Sequence, residues 1–182
     1  MSPETPDAIR QRLFALLNGQ GAALYGGERV TQLEHALQSA AIAEASGERP
    51  AMILASLLHD VGHFFEAEFE QALSSTFDTR HEHMGSRYLS RWLDSEVTEP
   101  IRLHVEAKRY LCAVHPDYLT TLSQASIHSL AVQGGPMGAE EIAIFESRPF
   151  SSEAVRLRQY DDQAKIVGMK SPDLAHFLSL IR

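Results

Sequence analysis

At 182 residues, with 44% apolar and 22% charged side chains, the chain has the make-up of one soluble domain, residues 1–182, able to bury a core. Its formal charge of −8 disfavours nucleic acid and anionic membrane surfaces as partners, although a local cationic pocket could still hold a small anion. The lone cysteine, Cys112, excludes an internal disulfide and suits a reducing cytoplasm, and no apolar run reads as a leader or a membrane span.

Strand signals are nearly absent, whereas apolar residues recur at three- and four-residue spacing, so the expected fold is all-α. A first helix is expected from Pro6 to Leu17, with Ile9, Leu13, Leu16 and Leu17 on one face and Asn18-Gly19 as its stop. A glycine-rich loop over about residues 20–30 follows, carrying Tyr25 and Glu28. Thr31 with Glu34 forms a capping-box pattern for a second helix that ends near Gly47.

Pro50 opens a third helix, expected to run to His63, that is apolar on nearly every side and belongs in the core. It closes on His59-Asp60-Val61-Gly62-His63, and burying that much ionisable chemistry is expensive unless something pairs with it. After a Glu- and Phe-rich loop, Phe64 to Thr79, helices are expected from Arg80, from Val97 to Val114, and from Tyr118 to Val132. Further helices should cover Ala139 to Glu146 and Ser152 to Val167, and a last one should begin at Ser171-Pro172-Asp173 with Pro172 at its first position.

Four expected helices carry a histidine: His35, His59, His81 and His104. Asp60 adjoins the second, and Asp161 lies far down the chain. Any one of these histidines alone is more often a satisfied core residue than a ligand. The set is another matter, because imidazoles with carboxylates suit iron, zinc, manganese or nickel. One cysteine and no CxxC exclude a closed structural zinc site. A carboxylate beside a ligand histidine can give one oxygen to each of two cations. His83, His115, His128 and His176 read as surface or boundary residues.

The order His35, His59-Asp60, Asp161, completed by His81 and His104, resembles the binuclear subset of the HD superfamily. Within it the chain is similar to the mixed-valent diiron oxygenases of phosphonate catabolism. The resembling stretches are Tyr25-Gly-Gly-Glu28, Gln32-Leu-Glu-His35, Leu57-Leu-His-Asp-Val-Gly-His63, His81-Glu82 and His104-Val-Glu-Ala-Lys-Arg-Tyr-Leu111. Leu122-Ser-Gln-Ala-Ser126, Gln133-Gly-Gly-Pro-Met137 and Arg158-Gln-Tyr-Asp161 extend the likeness over most of the chain. One departure separates it from most HD phosphohydrolases, which carry lysine three residues after the HD aspartate, where this chain has His63.

That resemblance implies a single HD-domain helical bundle holding two iron ions, Fe(II) and Fe(III), with O2 as co-substrate. His35, His59, Asp60 and Asp161 would hold one iron, and His81 and His104 the other, with Asp60 as the bridge. His63, Lys108, Ser126 and Arg158 would surround the phosphonate. Tyr25 would occupy an iron position until substrate arrives, and Glu28 would receive its amine. The implied reaction cleaves the C–P bond of a 1-hydroxy-2-aminoethylphosphonate-type substrate, with an amino or trimethylammonio group, to phosphate and glycine or glycine betaine. The alternatives are a metal-dependent HD phosphohydrolase acting on a small phosphate ester, and a non-catalytic metal- or nucleotide-binding regulator. The aromatic and acidic run Phe64 to Phe69, with Glu28 or Tyr160, either accommodates a methylated amine or simply packs beneath its loop.

Overall fold

The computed structural model describes residues 4–25, 28–65 and 80–182. Among these every regular element is helical. Helix α1 (Pro6–Gln20) is capped by the Thr5 hydroxyl, which accepts from the Ala8 N–H, and buries Ile9, Leu13 and Leu17. It overruns its expected stop by three residues, from Leu17 to Gln20. The crowded point is Gly21 instead, where a Cβ would come within 2.3 Å of the Leu17 carbonyl and 2.8 Å of the Leu33 side chain.

Helix α2 (Gln32–Ala45) begins at the Thr31 capping box, with Glu34 reaching back to the Thr31 N–H. Helix α3 (Pro50–Leu58) is buried from Met52 to Leu58, so the apolar reading was correct, but the α-helix ends before the HD pair rather than at His63. A tight 3-10 turn, Val61–Phe65, takes over. The reason is a close crossing: a Cβ on Gly62 would lie 1.9 Å from the His81 carbonyl, so the chain passes directly against the next helix.

That helix is α4 (His81–Leu89), entered through Arg80 in a left-handed conformation at φ 51. Helix α5 (Ser95–Val114) starts two residues before its expected position and absorbs Pro100 near its beginning. The single helix expected from Tyr118 to Val132 is two, α6 (Tyr118–Thr121) and α7 (Gln124–Val132). Ser123 breaks them because its hydroxyl caps α7 by accepting from the Ser126 N–H. Helix α8 is Ala139–Glu146.

Helix α9 (Ser151–Gln163) stops four residues short of Val167, and the irregular segment beyond it bonds back to α2 through Ala164 and Ile166. Helix α10 (Leu174–Leu178) is capped by Asp173, so Pro172 precedes the cap instead of opening the helix.

Helix α3 occupies the centre, with α2, α5 and α9 around it and α4 packed on α5 and the 3-10 turn. The larger apolar cluster joins Leu13, Leu17, Leu57, Leu58, Ile101, Leu157 and Phe177. Each such fully buried side chain contributes about 1.5–3 kcal/mol before entropy is counted. A smaller cluster under α8 joins Leu103, Met137 and Phe145. The HD pair lies at the inner end of α3, where four helices converge.

Candidate metal centre and anion pocket

Five helix regions bring six ionisable side chains into one buried volume. His35 lies one turn into α2, and its Nδ1 is 2.8 Å from the Ala164 carbonyl just past α9. His59 caps α3, with Nδ1 2.9 Å from the Ser56 carbonyl, and His104 on α5 places Nδ1 2.7 Å from the Ile101 carbonyl. Carbonyls only accept, so all three Nδ1 atoms carry a proton, and in the neutral ring each of these Nε2 atoms is a lone pair facing inward. His81 begins α4, and its Nδ1 faces the Glu82 carboxylate at 3.6 Å.

The lone pairs meet in two groups. His35 and His59 bring Nε2 to within 3.1 Å of each other, and His81 and His104 do so at 3.2 Å. Asp60 stands between, with a different oxygen toward each. Its Oδ2 is 3.2 Å from His59 Nε2 and 3.7 Å from His35 Nε2, while its Oδ1 is 3.3 Å from His81 Nε2 and 3.6 Å from His104 Nε2. His35, His59 and Asp60 form one group able to hold an ion, and Asp60, His81 and His104 form another. Asp161 adds a carboxylate 3.3 Å from His35 Nε2 and 4.0 Å from His59 Nε2.

This donor set fits metal ions. In neutral rings, His35 and His59 would point lone pair at lone pair across 3.1 Å in a medium without water to screen them. Asp60 Oδ2 and Asp161 Oδ1 are buried and make no hydrogen bond. The protein left to itself recruits positive charge here: burial pulls the His59 pKa down, yet Asp60 and Asp161 overcome it and raise it to about 9. His104 moves the other way, pushed well below its usual value by burial and then by the proximity of His81. Divalent cations would meet both demands at once.

Tyr25 lies flat on His35, ring centroids 3.9 Å apart and planes 13° off parallel, with its phenol buried near Asp60 and Asp161. Burial, with Asp161 and Asp60 nearby, holds the phenol well above its ordinary pKa, so without cations it is a neutral donor. Glu28 closes a turn by donating its N–H to the Tyr25 carbonyl, and its Oε1 is shielded from solvent without a hydrogen bond. His63 stacks on His81 at 3.9 Å and puts Nε2 3.8 Å from Asp60 Oδ1.

Next to the histidines is a cluster of buried cationic side chains. Lys108, one turn along α5 from His104, is buried and donates to the Ser129 hydroxyl at 2.7 Å. Arg158, also buried, gives Nη1 to Asp161 Oδ2 at 2.7 Å and Nη2 to Ser126 Oγ at 3.4 Å. Its remaining edge engages Asp162, and Nε lies 3.3 Å from the Tyr118 hydroxyl. Sequence reasoning missed Asp162, Tyr118 and Ser129. Only Asp162 had a signal, standing four residues after Arg158 on one helical face.

The aromatic run after His63 is partly accounted for. Phe64 is buried in the main core, Phe65 packs 4.6 Å from Tyr88, and the Tyr160 hydroxyl bonds Glu48 on the far side of α9. Those three are committed to packing and so are withdrawn from an amine pocket. Glu66 to Phe69, like Gly26 and Gly27, lie outside the described residues.

Comparison with known proteins agrees with the geometry. The HD domain model matches residues 33–134. The chain is 47% identical over 175 residues to the hydroxymethylphosphonate dioxygenase of Gimesia maris, covering 96% of this chain and 87% of that one. It is 42% identical over 174 residues to the glycine-betaine-forming 1-hydroxy-2-(trimethylamino)ethylphosphonate dioxygenase of Leisingera caerulea, covering 96% and 89% respectively.

Proposed function

This chain belongs to the HD-domain family, and from that premise we propose that it is an O2-dependent dioxygenase that cleaves the C–P bond of a small 1-hydroxyphosphonate. The two named relatives share a 1-hydroxyphosphonate head and differ beyond C1, so the head is the part proposed for this substrate. The reaction balances as R–CH(OH)–PO3H2 plus O2 giving R–COOH plus phosphoric acid. The C–H and C–P bonds of C1 break, C1 is oxidised, O2 is reduced, and both of its atoms are accounted for. With an aminomethyl or trimethylammoniomethyl R group, the acid is glycine or glycine betaine.

The observation that carries this reading is Asp60, which presents one oxygen to each histidine pair beside a buried cationic pocket. We assign His35, His59, Asp60 and Asp161 to one iron and His81, His104 and Asp60 to the other, as a mixed-valent pair. When bound, such a pair supplies Lewis acidity and one-electron chemistry with O2. The rest falls to the protein. Main-chain carbonyls hold the Nδ1 proton of three imidazoles and so present Nε2 as the ligating atom; at His59, whose pKa is raised to about 9, Nε2 would give up its proton as the cation binds. Lys108, Ser126, Arg158 and His63 orient the phosphonate so that C1 lies at the cluster. Tyr25 covers the His35 side until substrate displaces it, and Glu28 faces the R group. We place the enzyme in the cytoplasm as one domain, where the unpaired Cys112 stays reduced; no helix of the described residues is long and apolar enough to cross a membrane.

Metal analysis with EPR of the aerobically purified protein tests the cofactor, together with phosphate release from both hydroxyphosphonates. Two irons per chain, a half-integer signal from a coupled Fe(II)/Fe(III) pair and release from at least one substrate are expected. Tight binding of one metal, or activity on phosphate esters alone, would return the chain to the hydrolases of its family.

A further inference from the structure

The phosphonate pocket raises a question of charge. Arg158 is its most conspicuous cation, yet its guanidinium already contacts two carboxylates, Asp161 and Asp162. The positive charge offered to an anion must come from elsewhere. Two ammonium groups border the pocket with only neutral partners among the described residues. Lys108 donates to Ser129 Oγ at 2.7 Å, and Lys165 donates to Ser126 Oγ at 3.2 Å. Resting on the reading of this pocket as the phosphonate site, we infer that Lys165 is a phosphonate-binding residue that joins Lys108 in neutralising the substrate's anionic head.

Three further observations support the assignment. The first is convergence on Ser126. Its hydroxyl oxygen is approached by Lys165 Nζ at 3.2 Å, Arg158 Nη2 at 3.4 Å and Ser123 Oγ at 3.3 Å. A hydroxyl has two lone pairs, so three donors exceed what it can accept, and the surplus is directed at one point in space. An oxyanion of the substrate placed there would take up the unused donors as charge-assisted hydrogen bonds.

The second is preorganisation. Lys165 stands in the segment that the sequence assigns to α9 but that the structure releases from it. Both neighbours of Lys165 are tied to α2. The Ala164 carbonyl accepts from His35 Nδ1 at 2.8 Å, the Ile166 N–H donates to Gln38 Oε1 at 2.9 Å, and the Ile166 carbonyl accepts from Gln38 Nε2 at 2.9 Å. A lysine on a free loop loses much entropy when it clamps a ligand. One whose backbone is held on both sides loses less.

The third is position. Lys165 Nζ lies 5.9 Å from the centroid of the Tyr25 ring, on the loop that covers His35. The half-buried Lys165 side chain therefore lies between that loop and Ser126, more exposed to solvent than the buried Arg158. The loop setting also explains why sequence periodicity gave no sign of it.

Calorimetric titration of the metal-loaded protein with inorganic phosphate and with hydroxymethylphosphonate tests the inference. The variants are Lys165→Ala, Lys165→Arg and Lys108→Ala, each checked for metal content. Lys165→Ala should weaken both anions about tenfold or more at unchanged metal content, Lys165→Arg should recover most of the loss, and in turnover the defect should appear in KM more than in kcat. Binding by Lys165→Ala within twofold of the parent protein, while Lys108→Ala is weakened, would overturn the role of Lys165 and leave the pocket standing. If the unaltered protein binds neither anion, the phosphonate reading itself falls and this inference with it.

Discussion

Arg158 holds Asp161 through a 2.7 Å contact between Nη1 and Oδ2, with both side chains buried, and so ties the anion pocket to the metal cluster through a single bond. Truncating one partner of a buried pair leaves the other charge uncompensated, at a cost of about 3–5 kcal/mol. Arg158→Ala should therefore lose metal as well as phosphonate affinity, whereas Lys108→Ala should lose only the latter. Parallel metal analysis and chemical denaturation of the two variants distinguish them. Full metal content in Arg158→Ala would mean that Asp161 needs no such support.

Anion binding should fall as the pH rises through about 8. Burial, and next the nearby Arg158, lower the Lys108 pKa from 10.5 to about 8, so its ammonium is fully charged only below that pH. Stability follows the opposite course. Between pH 8 and 10.5 the unfolded chain holds a proton that folded Lys108 has lost, so this group makes the protein more stable as pH rises across that window. Phosphate affinity measured from pH 7.5 to 9.5 should drop by about tenfold, and Lys108→Arg should flatten the curve because a guanidinium stays charged. A drop of the same size in Lys108→Arg would assign the titration to another group.

Gly62→Ala should be poorly tolerated. The added methyl would sit 1.9 Å from the His81 carbonyl and 2.6 Å from its carbon, both main-chain atoms that cannot rotate away. The 3-10 turn and α4 would have to separate, shifting His81 from Asp60. Expected results are a destabilisation of about 1–3 kcal/mol and loss of metal from the His81–His104 half. A variant with parental stability and metal content would show that the crossing relaxes freely.

Chelation should lower the melting temperature. Without metal, only protonation of a histidine such as His59 offsets the facing Nε2 atoms and the buried Asp60 and Asp161 oxygens, and ions that bind only the folded chain stabilise it by mass action. Calorimetric scans before and after chelator treatment should differ by about 10 °C or more, since a 150–250-residue protein shifts by about 2–4 °C per kcal/mol. Iron should restore the loss. An unchanged transition would mean that the metals contribute nothing to the fold.

The HD pair was legible because ionisable residues closing an apolar helix have few bland explanations, and the capping box of α2 because it is a local pattern. Long-range crowding was not. The break of α3 before His59 and the end of α9 at Gln163 depend on neighbours distant in sequence, such as His81 against Gly62 and His35 against Ala164; the split at Ser123 is a local cap that the apolar periodicity ran through. Tyr118 was hidden likewise as a partner of Arg158, since it comes from another helix. The aromatic run was open to two readings, and for Phe64 and Phe65 packing is the one the structure favours; a 3-10 turn gives no periodic signal by which to choose.

The most direct test compares O2 uptake with phosphate release in one vessel, using an oxygen electrode with hydroxymethylphosphonate or its trimethylaminoethyl counterpart as substrate. One O2 consumed per phosphate, with release ceasing under argon, is the expected result. Phosphate that continues to appear without oxygen would contradict the dioxygenase assignment and identify the metal pair as hydrolytic.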